Sequence, residues 1–357
     1  MPQGDRSTAR LLVAAPDGAA LRSVLRRHLP RISWEVIGPT SPGPWPDAAA
    51  LLIGNTSGVL PLSFPTGAAN LRFIQSIFTG LDDFPFSRFG RDVRVAGNVG
   101  AYAPAVAEHA VMLVLVLAKN FSAALDRLRG GEIRPLLPNT NLRGKTVLLL
   151  GYGSVAHAVA SRLRAMGMRI EGLSRSGRGE PGTARMFPAS DLLRAASGPD
   201  VVVDCRPLTR LTRGTIDRRV LQAMNNDTIL VIVGRAGTVE EEALYRHLRD
   251  HPRFRAGTDV WWHEDLPSGR LGRDRRFLRL PNFVGTPHSA GYSSAMEATT
   301  ESRAYDLAVG NLARFFQGKV PRHLADVGEY RGPPDSIQGH RPARRRGRKS
   351  DRGRGSR

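Results

Sequence analysis

The sequence has a single cysteine, Cys205, among its 357 residues. One thiol cannot form an internal disulfide, so packing must hold the fold together, and we expect a reducing cytoplasm as its location. Cys205 follows an apolar run, where a small buried hydrophobe is a commoner role than a nucleophile.

Long apolar runs and metal-ligand patterns are also missing. The longest apolar run, 110–118, falls well short of the about 20 residues that span a bilayer. The N-terminus lacks the charged-then-apolar pattern of a secretory signal. His263, Glu264 and Asp265 are adjacent, so an extended strand cannot turn all three toward one ion. We therefore expect no membrane span and no metal.

Positive charge is abundant and unevenly placed. The formal net charge is +20, and the segment 331–357 holds ten Arg or Lys against two Asp. A basic surface suits anionic ligands without specifying one. The Gly-, Pro- and Arg-rich tail, 328–357, is typical of a disordered segment. Because no aromatic residues are interleaved with its charges, it does not predict a specific nucleic-acid site.

The most informative stretch is 146–175. Its apolar run Val147–Leu150 predicts a buried strand, and the turn that follows carries Gly151 and Gly153. Apolar residues then recur every three or four positions, which predicts a helix, and Ile170–Leu173 predicts a second strand. Such a turn brings backbone N–H groups and a helix N-terminus to a pyrophosphate. Ala156 replaces the third glycine of the usual fingerprint, so an ordinary tight turn stays an alternative.

Strands alternate with helices along most of the chain, which indicates parallel sheets with helices on both faces. Ligands of such sheets lie at the carboxyl ends of the strands. The loops at 54–58, 78–82 and 98–101 are therefore the candidate substrate surface of the first half. The long apolar helix 105–120 must be buried, either between domains or against a second subunit.

Three polar residues, Arg235, Glu264 and His288, stand at or near strand ends in the second half. Alone, each fits a solvated or structural role. Together with their flanking residues, they make the chain resemble the D-isomer-specific 2-hydroxyacid dehydrogenase family. The matching stretches are V-A-E-H-A at 106–110, L-R-G-K-T-V-L-L-L-G-Y-G at 142–153, R-P-L-T-R-L-T-R at 206–213, V-G-R-A-G-T-V-E-E-E-A-L at 233–244, D-V-W-W-H-E at 259–264 and P-N-F-V-G-T-P-H-S-A-G at 281–291.

The resemblance implies an α/β fold with two doubly wound parallel-sheet domains. A Rossmann cofactor domain, 105–291, is inserted into a flavodoxin-like substrate domain made of 1–104 and 292–327. The active site would lie in the cleft, with hinges near 102–104 and at Gly291. Separately from the resemblance, the long apolar helix 105–120 and the arm that follows it suggest a homodimer formed by the cofactor domains.

The resemblance also implies residue roles. Arg235 would bind the substrate carboxylate, a task suited to a planar charged fork. His288 would be the general acid in reduction and the base in oxidation, and Glu264 would orient it. Substrate contacts would come from Thr56, Ser57, Gly80 and Arg235. Cofactor contacts would come from Gly151, Gly153, Ser154, Val155, Ser174, Arg175, Pro207, Thr212, Val233, Gly234, Asp259, Ala290 and Gly291.

The chain departs from the family pattern after the second strand of the cofactor domain. Many members have an Asp there for the ribose hydroxyls, whereas this chain has Ser174 and Arg175. Without that carboxylate, Arg175 could pair with a 2′-phosphate, which favours NADP over NAD. The alternative is a solvated Arg175 and NAD.

The implied function is hydride transfer between a nicotinamide cofactor and a 2-keto acid or D-2-hydroxy acid. A binding protein that senses NAD(P) on the same fold, with little turnover, is the alternative. The sequence does not distinguish glyoxylate, hydroxypyruvate or larger keto acids as substrate.

Overall fold

The computed structural model describes residues 9–54, 60, 64–133, 139–179, 181–265, 270–271, 273–291 and 302–330. Within these ranges the chain forms two parallel sheets flanked by helices. The first half contains, in order, β1 (Arg10–Ala14), α1 (Ala19–His28), β2 (Ser33–Val36), β3 (Ala48–Ile53), α2 (Phe64–Gly67), β4 (Phe73–Ser76), β5 (Arg94–Ala96), α3 (Ala103–Ala118) and α4 (Phe121–Arg129).

The second half contains two further groups of elements. Strands and helices alternate as β6 (Thr146–Leu150), α5 (Ser154–Ala165), β7 (Arg169–Ser174), β8 (Arg185–Pro188), α6 (Leu192–Ala196), β9 (Val201–Asp204), α7 (Arg218–Ala223), β10 (Ile229–Ile232), α8 (Glu241–Asp250) and β11 (Arg255–Thr258). They are followed by β12 (Glu264–Asp265), β13 (Arg270–Leu271), β14 (Phe283–Gly285), α9 (Ser302–Phe316) and α10 (Val327–Tyr330). Short 3₁₀ segments lie at Phe86–Arg88, Ala189–Asp191, Ala236–Thr238 and Arg273–Arg279.

The first sheet has the strand order β2-β1-β3-β4-β5, and every pairing is parallel. This is the flavodoxin-like order. Helices α1 and α9 cover one face, where Leu21, Val24 and Leu25 meet Val309 and Leu312 in one apolar cluster. The predicted flavodoxin-like domain is therefore present.

The second sheet has the order β14-β11-β10-β9-β6-β7-β8, again parallel throughout. Its glycine strand β6 is buried at Val147–Leu150, as the continuous apolar run predicts. Helix α5 packs through Ala156, Val159 and Leu163, and Gly167 ends it with a left-handed φ of 82°. The Rossmann arrangement predicted from the sequence is confirmed.

Helix α3 packs on the second sheet rather than the first. Its Leu113, Val114 and Leu117 join the cluster of Val147, Leu149 and Val231. Met112, on another side of the helix, stays exposed. One apolar face is thus buried within the chain, and the other is open in a single subunit.

Two expectations about chain segments need correction. The basic tail does not begin at 328, because Val327–Tyr330 forms the helical turn α10; residues 331–357 lie outside the described ranges. The sequence also predicts a strand over 255–260, but this strand ends at Thr258, since Asp259 turns its carboxylate to backbone N–H groups of residues 289 and 290. The sequence further predicts helices from Ser294 to Phe316; Ser294 lies outside the described residues, and α9 is described from Ser302.

The buried ion pair Asp204–Arg206 allows a test of what stabilises the cofactor domain against unfolding. Asp204 is 0% exposed and accepts hydrogen bonds from Arg206 and Thr238. Replacing Asp204 with Ala leaves a buried guanidinium uncompensated, so we expect a loss of about 3–5 kcal/mol in the free energy of unfolding by urea denaturation. The exposed pair Arg246–Glu242 provides the control, because Arg246→Ala should cost under about 0.5 kcal/mol. Equal losses in the two variants would contradict this account.

Candidate active site

The candidate catalytic residues come from separate parts of the chain and meet at one edge of the sheets. Arg235 follows β10, His288 follows β14, and Asp82 follows β4 of the other sheet. Parallel strands deliver their carboxyl ends to the same edge, so the loops after them converge. The site is therefore built where the two domains face each other.

His288 and Glu264 form the central contact. His288 Nδ1 lies 2.8 Å from Glu264 Oε2, and the other carboxylate oxygen accepts a hydrogen bond from the Trp261 backbone N–H. His288 adopts a left-handed φ of 53°. A non-glycine residue in that conformation is uncommon and needs support from its surroundings. Glu264 lies on the short hairpin β12–β13, which fixes its position opposite the imidazole.

Asp259 supplies that support. Its carboxylate is buried and accepts hydrogen bonds from the backbone N–H groups of Ser289 and Ala290 and from the Thr286 hydroxyl. Asp259 thereby anchors the segment that carries His288. Its predicted contact with the nicotinamide stays a prediction, whereas the structure gives it a positioning role.

Arg235 reaches across to the first sheet. Its Nε lies 3.1 Å from both carboxylate oxygens of Asp82, and its Nη1 donates to the Gly234 carbonyl. Gly80 makes this approach possible, since a Cβ built at Gly80 would lie 1.9 Å from Arg235 Nη2. The Arg235 guanidinium therefore packs against the backbone of Gly80 and is held by the Asp82 carboxylate from the first sheet's domain.

The surrounding charge is strongly acidic. Burial opposes the charge of Arg235, but Asp82, Glu264 and Asp83 raise its pKa above the usual range. Burial, followed by the charge of Asp82, raises the pKa of Asp83. The guanidinium is thus the cation around which three carboxylates gather, and an incoming anion must share it with Asp82.

The glycine turn after β6 has the shape a dinucleotide requires. Gly151 has φ 78°, and a Cβ there would lie 2.7 Å from Arg206 Cγ. Gly153 caps α5, and a Cβ there would meet no atom within 4 Å. The turn is therefore open on the side of the α5 N-terminus, where Ser154 and Val155 begin the helix. These features fit a pyrophosphate.

Ser174 and Arg175, at the end of β7, already have hydrogen-bond partners within the chain. Ser174 Oγ accepts a hydrogen bond from the Gly177 N–H. Arg175 forms two contacts with Glu329, Nη1–Oε1 at 2.8 Å and Nη2–Oε2 at 3.0 Å. No sequence pattern indicates this partner, because Glu329 stands 154 residues away in a segment predicted to be a disordered tail.

The remaining predicted cofactor residues lie at the same edge. Thr212 donates from Oγ1 to the Pro207 carbonyl and shapes the loop after β9. Val233 and Gly234 donate backbone N–H groups to the Asp204 carbonyl, and Ala290 is buried beside Gly291. Their contacts with cofactor stay predictions. Thr56 and Ser57 lie outside the described residues.

Two residues outside the predicted site, His109 and Cys205, have surroundings that fit a structural role. His109 Nε2 lies 2.8 Å from Thr286 Oγ1 and 3.4 Å from Asp259 Oδ1, so it joins the hydrogen bonds around Asp259. Burial, then the charge of Asp204, raises the pKa of the Cys205 thiol, which fits a packing role. Asp82 was missed as a functional residue, although its loop was expected at the substrate surface.

A glycine turn at a Rossmann sheet, with an Arg and a His–Glu pair in loops after other strands of the same sheet, is the arrangement of a nicotinamide-dependent oxidoreductase. Residues 111–290 match the family model described as D-isomer specific 2-hydroxyacid dehydrogenase, NAD binding domain. The chain belongs to the D-isomer-specific 2-hydroxyacid dehydrogenase family. It is an oxidoreductase that transfers a hydride between NAD(P) and a 2-keto or 2-hydroxy acid.

Known relatives agree with this assignment. The chain is 33% identical over 221 residues to a hydroxypyruvate reductase of Thermotoga maritima, covering 61% of this chain and 70% of the relative. It is 32% identical over 273 residues to a glyoxylate reductase of Aeropyrum pernix, covering 72% and 77%. The crystal structure of a candidate formate dehydrogenase from Pyrobaculum aerophilum superposes with a TM-score of 0.75 at 28% identity, covering 90% of this chain and 100% of that one.

Within the described ranges, no helix has the length and apolarity needed to cross a bilayer.

The variant Gly80→Ala tests whether the position of the Arg235 guanidinium depends on the space beside Gly80. Because the new methyl would overlap Nη2, the guanidinium must shift, and a shift of about 1 Å can cost about 100-fold in rate. We expect kcat/KM for keto-acid reduction to fall about 10- to 100-fold. Gly90→Ala is the matched control, since a Cβ there meets nothing within 4 Å. Unchanged kinetics in Gly80→Ala would show that the function of Arg235 does not depend on the space beside Gly80.

Proposed function

We propose that the protein reduces small 2-keto acids to D-2-hydroxy acids with NADP(H). The observation that carries this proposal is the His288–Glu264 contact of 2.8 Å beside the Arg235 guanidinium. The relatives named as hydroxypyruvate and glyoxylate reductases support a small keto acid as substrate.

The chain's own residues have separate tasks in this proposal. Arg235 binds the substrate carboxylate through its fork and shares it with Asp82. His288 uses Nε2 to donate a proton to the carbonyl oxygen, because Nδ1 already contacts Glu264. Glu264 holds the ring orientation and stabilises the imidazolium. Gly80 would contact the substrate, and Thr56 and Ser57, which lie outside the described residues, keep their predicted role as substrate contacts.

The cofactor supplies the hydride when bound. The turn residues Gly151, Gly153, Ser154 and Val155 would hold its pyrophosphate, since that turn is open and lies at a helix N-terminus. The loops with Pro207, Thr212, Val233, Gly234, Ala290 and Gly291 would line the rest. NADP is preferred because Ser174 replaces an acidic residue and Arg175 follows it.

We further propose domain boundaries near residues 104 and 291. Helix α3, which begins at Ala103, packs on the second sheet, and α9 packs on the first. The chain would therefore cross between domains at 102–104 and near 291, where closure could exclude water from the cleft. A reducing cytoplasm is the proposed location, in keeping with the single cysteine.

A panel of keto acids with both reduced cofactors tests the proposed function. Glyoxylate, hydroxypyruvate and larger 2-keto acids should be reduced, with a higher kcat/KM for NADPH than for NADH. His288→Asn should lower kcat about 10²- to 10⁴-fold, and Glu264→Gln at least about tenfold, because proton transfer loses its donor or that donor's orientation. His263→Asn, an exposed neighbour paired with Glu241, is the control. Turnover that is unchanged in His288→Asn would contradict the assignment.

We propose a homodimer formed by the cofactor domains. Helix α4 and the residues after it expose Phe121, Leu128 and Ile133 by 55%, 58% and 86%. Met112 of α3 is 39% exposed as well, and the proposal places these apolar side chains on one subunit contact. An exposed apolar surface is typical of a subunit contact.

Light scattering at micromolar concentration should give the dimer mass. Leu128→Asp places a charge on the proposed contact, so this variant should shift to the monomer mass. Val320→Asp, at a 67% exposed position of the substrate domain, should stay dimeric. A wild-type monomer would refute the proposed assembly.

A further inference from the structure

The segment 324–330, which we name the C-terminal strap, joins the two domains. Leu324 bridges antiparallel to Ala96, and the Ala325 N–H donates to the Val95 carbonyl at 2.8 Å. Tyr330 then stacks on Phe86 with ring centroids 5.3 Å apart. The strap is thereby anchored on the edge strand of the substrate domain.

The opposite side of the strap contacts the cofactor domain at two loops. Glu329 pairs with Arg175 after β7, and its carbonyl accepts the Arg210 N–H at 2.9 Å after β9. Strands β7 and β9 are the two neighbours of the glycine strand β6. Because both loops leave the carboxyl edge, the strap lies across the groove above the glycine turn, where the adenosine half of a dinucleotide would lie.

The chemistry of this contact matches that of a phosphate. Two carboxylate oxygens meet two guanidinium nitrogens, which is the arrangement that Arg also uses for phosphate oxygens. The Glu329 side chain is 11% exposed, whereas that of Arg175 is 75% exposed. The carboxylate is therefore covered by protein, while the cation remains open to an incoming anion.

We propose that Glu329 is a specificity-determining residue that competes with the 2′-phosphate of NADP for Arg175. Binding of NADP displaces Glu329 and loosens the strap, whereas NAD, which lacks the 2′-phosphate, leaves the pair in place. The competition reduces the NADP preference that Ser174 and Arg175 would otherwise give. This inference rests on the proposed function, since it requires the dinucleotide to bind at the glycine turn.

The strap can be displaced without disrupting the fold. Helix α10 is a single turn of four residues, and the Arg175 half of its ion pair is 75% exposed, so an anion from solvent can replace Glu329 as the partner of this cation. Through Val327 and Gly328 the turn also borders a surface pocket of about 310 Å³.

The end of the strap, Tyr330, also lies near a carboxylate of the proposed substrate site. Burial raises the pKa of Tyr330, and Asp82 and Glu329 add to that effect. Tyr330 therefore lies near enough to Asp82, the partner of Arg235, for the charge of that carboxylate to act on it.

Binding to the full chain, measured by calorimetry, tests the competition without turnover. The probes are adenosine 2′,5′-bisphosphate, which carries the 2′-phosphate, and ADP, which does not. Glu329→Gln should tighten the bisphosphate about three- to tenfold and change ADP less than about twofold. Asp326→Asn removes a carboxylate of the same strap that bonds Gly328 rather than Arg175, so it should match the wild type.

Hydrogen exchange supplies the second readout. The bisphosphate should speed exchange of the backbone amides of 324–330 in the wild-type chain, and ADP should not. Weaker or unchanged bisphosphate binding in Glu329→Gln, with ADP still bound, would overturn the competition and leave the proposed function standing. Failure of ADP and NADH to bind the wild type would instead overturn the cofactor site itself.

Discussion

The structure depends on one guanidinium that crosses the cleft. Arg235 comes from the cofactor domain, yet its Nε is held by Asp82 and its Nη2 lies against Gly80, both in the loop after β4. Burial alone would penalise this charge, and the nearby carboxylates offset that penalty. The substrate carboxylate would enter a place where negative charge is already accommodated. In the proposed function, recognition of the acid and contact between the two sheets would therefore depend on the same side chain.

The proton-transferring side of the site is held differently. His288 occupies a left-handed conformation at the exit of β14, and Asp259 holds the following backbone N–H groups in place. Glu264 then fixes the ring from a two-stranded hairpin. Backbone strain and buried hydrogen bonds thus position one imidazole nitrogen toward Glu264, and the proposed function assigns the other, Nε2, to the substrate.

Local sequence features predicted the fold well. The apolar run of β6, the glycine turn and the periodicity of α5 depend on neighbours in sequence, and all three are present. The short strands β8 and β12–β13 were not predicted, because four or two residues without alternation give no periodic signal.

Long-range ion pairs were beyond sequence reasoning. Asp82 pairs with Arg235 across 153 positions, and Glu329 pairs with Arg175 across 154. No spacing rule connects such partners, because the fold alone brings them together. The resemblance identified Arg235, Glu264 and His288 through their flanking residues, and the structure joins His288 to Glu264 directly. It could not reveal that Glu329, from a segment with the composition of a disordered tail, lies against Arg175.

A crystal structure with NADP and oxamate, an inert 2-keto acid analogue, tests the central claim most directly. The account predicts the oxamate carboxylate within about 3 Å of the Arg235 guanidinium and its carbonyl oxygen within hydrogen-bond reach of His288 Nε2. Oxamate bound away from Arg235, with the Arg235–Asp82 pair intact and His288 turned from the ligand, would contradict it.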